Sequence, residues 1–543
     1  MLSPGRVQRQ QPSAGPWVHG LVVVFGLVAL VCSVHAISNF SGDALIHFSL
    51  VEHAAEGAWF QFNRGEPFSA SSSPLWTVLG AGLWRVGGLP AMAYGVKLLV
   101  VVSWLGAGAL VVSLALRLGA PRSVALAMGV VAVGLPGSAW NWLQGSENGP
   151  FAALQLLSWL SLHRLSHRAA TPARVIWPFV LAGLAAALRP EGLATCAAMS
   201  WLLLRVGVVQ SRGLRPLAML AMLVAAAPAY LLQLAATGDL IPASGMSRVM
   251  MARRDALSMS VAGLWFYGAA LSRILAYAPL SALAIVALRS ASSPVHERFQ
   301  MEKPRIDAGS FVAAFALSVG LQLGVFTFAT GAAHAGRYLI PLFCQLCVLA
   351  ALGFAPLVRR RGGHALWPLC VLWLSLVAVV ELSARFETQR FKHPLAEVLS
   401  ATRLRQAHSD ATLRAICALD CCSSDAVPSV ALGEVQERLF FDARLNVRAL
   451  DGVSGGASGR PPTFSPNGCP GVEGLFADPS LTAWLAAPAG EAFRGCTLGP
   501  RAQAILYAFR RRADAPGFRY VHAPRRMLVK DCRTSRPSED STH

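Results

Sequence analysis

The sequence predicts an α-helical polytopic membrane protein of about eleven transmembrane helices, followed by a C-terminal α/β domain outside the membrane. Of its 543 residues, 54% are hydrophobic and 14% are charged, against roughly 25% charged residues in ordinary soluble domains. The mean hydropathy is +0.49. Long apolar runs recur along the chain until residue 383 and then stop. This combination excludes a soluble enzyme, a disordered chain and a coiled coil.

Each predicted transmembrane helix is an apolar run close to the ~20 residues that cross a bilayer. The predicted spans are 18–38, 91–115, 122–142, 149–165, 174–190, 192–209, 215–236, 266–288, 308–330, 338–357 and 364–383. Residues 1–17 then form a cytoplasmic N-terminus, and residues 18–383 form the transmembrane domain. An alternative for the first run is a signal peptide cleaved after Val34-His35-Ala36, because arginines precede it and small residues follow it.

The net charge is +19, from 47 Lys and Arg against 28 Asp and Glu. Placing the N-terminus in the cytoplasm puts most loop Lys and Arg residues, including Arg359-Arg360-Arg361, on the inner side. Basic residues collect in the cytoplasmic loops of membrane proteins. The predicted topology is therefore N-in and C-out, and the basic excess requires no nucleic-acid partner.

The first outer loop, residues 39–90, is too long and too polar for a simple hairpin. It contains a serine run and several aromatic residues, and such aromatics are typical of the membrane interface. We expect one or two short interfacial helices here. Beyond this loop, Lys97 stands alone in an apolar stretch and is predicted to snorkel towards water.

Residues 384–533 are predicted to form the extracytoplasmic α/β domain, and residues 534–543 a disordered tail. A strand at Ser429–Leu432, a helix at Glu434–Phe441 and a strand at Asn446–Leu450 form a βαβ-like pattern. Six cysteines in an oxidising compartment predict disulfides, with the pairing left open and metal binding as the alternative. They are Cys417, Cys421, Cys422, Cys469, Cys496 and Cys532.

Acidic residues are scarce in the transmembrane domain, and most of them fall on the predicted outer side. The acids on this side are Asp43, Glu52, Glu56, Glu66, Glu147, Glu191, Asp239, Asp255 and Glu381. Ionisable groups at a membrane boundary are costly unless they face water, a partner or a substrate. Their convergence predicts an outward-opening active site. Simpler roles stay open: a helix N-cap for Asp43 and a local pair with Arg189 for Glu191.

Several outer segments match one known pattern in order and spacing. They are Asp43-Ala44-Leu45-Ile46-His47-Phe48, Glu56-Gly57, Phe62-Asn63-Arg64-Gly65-Glu66-Pro67, Ser72-Ser73-Pro74-Leu75-Trp76, Gly145-Ser146-Glu147-Asn148, Arg189-Pro190-Glu191-Gly192, Gly238-Asp239-Leu240-Ile241-Pro242, Gly336-Arg337-Tyr338-Leu339-Ile340-Pro341 and the segment from Gly433 to Gly452. Together they resemble the bacterial GT-C membrane glycosyltransferases, close to the mycobacterial terminal arabinofuranosyltransferase group. The chain departs from that pattern at Gly42, where the family has a second Asp, and at Ser49, where it has Arg.

The resemblance implies a GT-C-like fold and a transferase in the bacterial cytoplasmic membrane. Its donor would be a polyprenyl-phosphate-linked sugar, arabinofuranose or another pentose or hexose. Its acceptor would be a cell-envelope glycan or lipid on the outer face. Direct attack on the anomeric carbon would invert its configuration. Neither a cofactor nor a metal is indicated, although Asp43, Glu147 and Asp239 could together hold a divalent ion.

Site roles follow from the same resemblance. Asp43 is the expected general base, and Glu147 is the second candidate for that role. Arginines match phosphate oxygens bidentately, so Arg337, Arg189, Arg248 and Arg273 are the candidates for the donor phosphate. For Arg273 a snorkelling role is an equal alternative. The remaining candidate substrate contacts are Glu191, Asp239, Asn63, Glu66, Trp76 and Tyr338.

Three other functions stay open at this point. A flippase for lipid-linked sugars would share the helices and arginines, but the sequence shows no internal repeat. A transferase that glycosylates protein or lipid A would differ only in its acceptor. A non-catalytic envelope scaffold would be compatible with Gly42 in place of the second Asp. The sequence does not define the oligomeric state.

Overall fold

The computed structural model describes residues 34, 36–61, 71–134, 142–166, 171–206, 214–240, 280, 282–287, 308–329, 339–361, 392–417, 429–432, 446–449, 481–484, 518–522 and 526–530. Within these ranges the helices are α1 Gly42–Ala55, α2 Pro74–Arg117, α3 Arg122–Gly134, α4 Asn148–Ser166, α5 Pro172–Leu188, α6 Gly192–Val206, α7 Leu214–Thr237, α8 Ala308–Ala329, α9 Ile340–Arg361 and α10 Leu395–Cys417. The strands are β1 Asn39–Ser41, β2 Lys392–Pro394, β3 Ser429–Leu432, β4 Asn446–Ala449, β5 Leu481–Trp484, β6 Phe518–His522 and β7 Arg526–Lys530.

Helices α3 to α9 begin within a few residues of predicted apolar runs. The predicted span 364–383 lies outside the described residues, as does nearly all of 18–38. The span 266–288 is described only at residues 280 and 282–287, which are helical. The number of transmembrane helices therefore stays a prediction.

Helix α2 begins earlier than predicted, at Pro74 instead of residue 91. It consists of two helical pieces joined by a kink, where Gly87 and Gly88 leave helical geometry. Pro74 occupies the first turn, where a missing backbone N–H costs no hydrogen bond. The second half of the predicted outer loop is thus helical and runs into the next membrane helix.

A large part of the helix surface is apolar and exposed. Two described helices, α2 and α7, are long and apolar enough to cross a bilayer. A core helix of a soluble protein would hide such residues, yet α7 exposes Leu220, Leu223, Val224 and Leu231. Contiguous apolar surface of this kind marks contact with a membrane or a partner. The location in a membrane therefore agrees with the sequence prediction.

The bundle core is packed from α2 to α6 together with α8 and α9. Trp159 of α4 makes T-shaped contacts with Phe311 and Phe315 of α8, at ring-centroid distances of 5.4 and 5.2 Å. Cys196, Cys344 and Cys347 are buried free thiols in apolar helices, where cysteine packs as a small hydrophobic residue.

Helix α1, the first helix of the outer loop, is buried within the protein. Ser41 is its N-cap, and the Ser41 hydroxyl accepts a hydrogen bond from the Ala44 N–H. Phe48 and Val51 are completely buried in a second apolar cluster. Val398 of α10 belongs to the same cluster, and α1 packs mainly against α2. A helix therefore forms at residues 42–55, and its position at the membrane interface stays a prediction.

Strand β1 ties the start of the outer loop to the C-terminal part of the chain. It pairs with β2 in antiparallel register, and the Leu395 N–H donates to the Ser38 carbonyl. The C-terminal residues also form a mixed five-stranded sheet in the order β4-β3-β5-β7-β6. Its β3 and β4 are parallel neighbours, as the βαβ-like pattern predicts. The helix predicted at 434–441, the disulfides and the tail lie outside the described residues.

Candidate functional site

Arg189 is the centre of a buried ionic cluster at the predicted outer end of the bundle. It caps the C-terminus of α5 in an extended conformation and is 2% exposed. Its Nη1 donates to Oε1 of Glu147 and to Oδ1 of Asn148, each at 2.7 Å. Its Nε and Nη2 donate to the two carboxylate oxygens of Glu191, at 3.1 and 2.7 Å. One guanidinium therefore joins two carboxylates from separate parts of the chain.

Glu147 lies in the tight turn before α4 and is 4% exposed. Nε2 of His47 lies 3.4 Å from its Oε2. Burial by itself would raise the pKa of the Glu147 carboxyl. The neighbouring His47 and the charge of Arg189 lower it by more, so the pKa of Glu147 lies well below its ordinary 4.5. The carboxylate stays ionised, and Oε2 has no other hydrogen-bond partner in the described part of the chain.

Glu191 forms the local pair with Arg189 that the sequence left open as a simple role. The pair is bidentate and buried. Glu191 precedes the first residue of α6, where a negative charge is favoured by the positive end of the helix dipole. The short Arg189-Pro190-Glu191-Gly192 turn thus presents both charges at the junction of two helices.

Asp43 is the second residue of α1, and its side chain lies outside what the structure describes. The N-cap role left open for it belongs to Ser41. Trp76 is 1% exposed and packs in the second apolar cluster. Asp239 is exposed beyond α7, and its hydrogen bonds among the described residues are local. The other predicted site residues lie outside the described residues: Asn63, Glu66, Arg248, Arg273, Arg337 and Tyr338.

The sequence interpretation did not single out His47 or Asn148. A signal for His47 exists, because it follows Asp43 by four residues, and residues four apart share one side of a helix. Asn148 directly follows Glu147, but a single asparagine at a helix start predicts no specific contact. Both residues add contacts to the cluster of Glu147, Arg189 and Glu191, whose members the sequence had already indicated.

A separate polar network lies within the bundle. Gln155 of α4 donates to the Thr195 hydroxyl of α6 and accepts from the Gln345 amide of α9. The Thr195 hydroxyl shares a 3.0 Å hydrogen bond with Ser318 of α8. All four side chains are completely buried. Hydrogen bonds of this kind join neighbouring membrane helices. They cannot be predicted from the sequence, because each polar residue stands alone in an apolar run.

The described residues include no group of three or more His, Cys, Asp or Glu side chains placed to hold a metal ion. The set weighed for a divalent ion contains Asp43, whose side chain is outside the described part. Of its other members, Glu147 is already paired with Arg189. Among the described residues the cluster is therefore an ion-pair network rather than a metal centre.

Comparison with known proteins gives distant structural similarities. No protein-family model and no curated protein matches the chain. The chain is similar to ArnT from Cupriavidus metallidurans bound to undecaprenyl phosphate, with 15% identity and a TM-score of 0.48, covering 94% of this chain and 98% of that chain. It is also similar to the oligosaccharyltransferase AglB from Archaeoglobus fulgidus in complex with an inhibitory peptide and a dolichol-phosphate. The identity is 11% and the TM-score 0.47, and the match covers 96% of this chain and 75% of that chain.

A further similarity is to the Archaeoglobus fulgidus oligosaccharyltransferase in complex with Zn and sulfate, with 11% identity and a TM-score of 0.48, covering 86% of this chain and 67% of that chain. Identities below 25% and TM-scores below 0.5 assign neither a family nor a function to this chain. None of these three structures is a mycobacterial arabinofuranosyltransferase, so closeness to that group remains a prediction.

Proposed function

We propose that this chain is a membrane glycosyltransferase that moves a sugar from a polyprenyl-phosphate donor to a cell-envelope glycan or lipid acceptor. The reaction takes place at the outer face of the cytoplasmic membrane. The sugar is arabinofuranose or another pentose or hexose. The C-terminal domain lies on the same side of the membrane as the site.

The observation that carries this proposal is the buried cluster of His47, Glu147, Arg189 and Glu191 at the ends of apolar helices. A buried ion pair is weak support for stability, because desolvation offsets much of its attraction. Here two carboxylates share one arginine beside α1, the helix that carries Asp43. Preorganised polar groups at a membrane boundary are what transfer between a lipid phosphate and a sugar hydroxyl requires.

Asp43 is the general base of the proposed reaction. The best general base has a pKa near the working pH, and the lowered pKa of Glu147 makes that carboxylate a poor proton acceptor. Glu147 is assigned to the acceptor side instead, where its buried Oε2 faces His47. The structure therefore favours the first of the two candidates from the sequence.

Arg189 positions the two carboxylates and does not hold the donor phosphate. A phosphate would have to displace Glu147, Glu191 and Asn148 from a side chain that is 2% exposed. The phosphate contacts are left to Arg337, Arg248 and Arg273. The further sugar contacts are assigned to Asn63, Glu66, Glu191, Asp239 and Tyr338.

The proposed step is a single displacement. The acceptor oxygen forms a bond to the anomeric carbon while the bond from that carbon to the phosphate oxygen breaks. The acceptor proton goes to Asp43, and polyprenyl phosphate leaves as the anion that the arginines stabilise. Attack opposite the leaving group inverts the anomeric configuration.

The test of these roles compares wild type, Asp43→Asn and Glu147→Gln, purified at equal levels in nanodiscs. Polyprenyl-phospho-arabinofuranose and polyprenyl-phospho-glucose serve as donor probes, and released polyprenyl phosphate is measured. We expect Asp43→Asn to lower kcat by about 10²–10⁴-fold with little change in the donor KM. Glu147→Gln should mainly raise the acceptor KM, because its charge binds the acceptor.

Glu56→Gln is the matched control, since Glu56 is an exposed acid at the other end of α1 and should keep wild-type turnover. If Asp43→Asn turns over like wild type, Asp43 is not the base. A larger loss of kcat in Glu147→Gln than in Asp43→Asn would return the base to Glu147.

A further inference from the structure

Lys97 is a buried lysine whose contacts differ from the sequence prediction. It lies in the apolar half of α2, and its side chain does not snorkel, because the residue is only 5% exposed. Its Nζ donates to three backbone carbonyls: that of Ala36 at 3.2 Å, that of Asn39 at 2.5 Å and that of Leu143 at 2.6 Å. An ammonium has three donors, so all of them are used.

These carbonyls belong to the two segments that carry the proposed base and the acceptor-binding carboxylate. Asn39 is in β1, which leads directly into Gly42 and Asp43 at the start of α1. Leu143 precedes the turn that ends at Glu147. The same two segments share one backbone hydrogen bond, from the Ser41 N–H to the Gln144 carbonyl at 3.0 Å.

Phe40 fills the space between the two segments. Nζ of Lys97 lies 4.1 Å from the centre of the Phe40 ring, within cation–π range. On the other segment, Gly145 has a φ of +92°, and a side chain there would collide with the same ring. Lys97, Phe40 and Gly145 therefore hold β1 and the Glu147 turn together at close contact.

We infer that Lys97 is a positioning residue that fixes the Asp43 segment against the Glu147 turn. An apolar side chain at this position would leave three buried carbonyls without these hydrogen bonds. A lysine inside a membrane helix is costly, and here its charge is directed at backbone oxygens from two outer segments. The catalytic part of this inference rests on the proposed function, but the contacts themselves can be tested without any substrate.

The test is hydrogen–deuterium exchange of the full chain in nanodiscs, followed by mass spectrometry of peptides covering residues 36–45 and 142–150. We expect Lys97→Met to speed exchange in both peptides by about tenfold, since both segments lose the same anchor. Trp104→Phe is the matched control. It removes a side-chain hydrogen bond from the same helix to the Val133 carbonyl, which lies in neither peptide. It should leave both peptides unchanged.

Turnover provides the second measurement. Lys97→Met should lower kcat by about 10²-fold with a nearly unchanged donor KM, because small displacements of reacting groups cost rate more than binding. Lys97→Gln keeps two N–H donors on a shorter side chain and should fall between Lys97→Met and wild type in exchange and in kcat.

Unchanged exchange in either peptide would overturn the inference, as would faster exchange throughout the bundle. Loss of folding in both Lys97 variants would also overturn it, by showing that Lys97 supports the whole bundle. If wild type has no transferase activity, the proposed function fails while the exchange result still decides whether Lys97 holds the two segments.

Discussion

At the scale of single residues, Arg189 organises the candidate site. Its guanidinium gives the negative charges of Glu147 and Glu191 a partner that the surrounding apolar helices do not provide. Removing Arg189 leaves two carboxylates without their cationic partner in a medium that solvates them poorly, and removing either carboxylate takes a charge-assisted hydrogen bond from Arg189. Arg189 and its partners should therefore affect stability as well as turnover.

Glu147→Gln should lower the free energy of unfolding at pH 7 by about 1.5–3 kcal/mol, the contribution of a hydrogen bond to a charged group, because Arg189 keeps Glu191 as its ionic partner. The folded-state pKa of Glu147 lies below its ordinary 4.5, so its contribution is complete above pH 4.5 and is lost only as the pH falls through the lower folded-state value. The difference between wild type and variant should therefore not shrink between pH 7 and pH 4.5. Thermal unfolding of both proteins in detergent, from pH 7 to pH 4.5, measures this difference in stability.

Asp239→Asn is the control, since Asp239 is exposed and should show little effect at any pH in the range. If Glu147→Gln is as stable as wild type at both pH 7 and pH 4.5, the Glu147 carboxylate is not stabilised by Arg189 and the ionic cluster does not have the role assigned to it.

The sequence predicted part of this site for a physical reason. Charges are rare in an apolar chain, so Glu147, Arg189 and Glu191 stood out, and the structure brings them together. The burial of Trp76 and the backbone contacts of Lys97 were not predicted, because the residues that surround them come from distant segments. Trp76 is covered by a core that includes Val398, and Lys97 by β1 and the turn at Leu143.

At the scale of helices, α5 and α7 approach each other unusually closely. A methyl group added at Gly183 of α5 would collide with the backbone carbonyl of Met222 in α7. Backbone atoms cannot move aside as a flexible side chain can. Small residues at such crossings let membrane helices pack backbone to backbone. Because Arg189 caps α5, this contact also supports the position of the ionic cluster.

Gly183→Ala should therefore destabilise the protein by about 1–3 kcal/mol through overpacking, measured as a lower thermal midpoint in detergent. Gly320→Ala in α8 is the matched control, because a methyl group there meets nothing within 4 Å. That variant should match or exceed wild type, since alanine is the better helix former. Equal midpoints for the two variants would show that the α5–α7 contact tolerates a side chain.

At the scale of the whole molecule, apolar run length predicted most of the described membrane helices, because a bilayer imposes one length on every span. The parallel pair β3 and β4 was also predictable from its two short strands. The burial of α1 was not, since its apolar cluster also includes residues of α10, which lies more than three hundred residues away along the chain. Contacts over such separations leave no periodic pattern in a single sequence.

The most direct test of the proposed function measures two products from one reaction. Wild-type protein in nanodiscs receives polyprenyl-phospho-arabinofuranose or polyprenyl-phospho-glucose together with a cell-envelope glycan acceptor. Released polyprenyl phosphate and glycosylated acceptor are quantified by mass spectrometry. We predict that the two products form in equal amounts and that omitting the acceptor stops the release. If neither donor is consumed, while the same protein in sealed vesicles moves labelled donor across the bilayer, the chain is a flippase and the proposed transferase function is wrong.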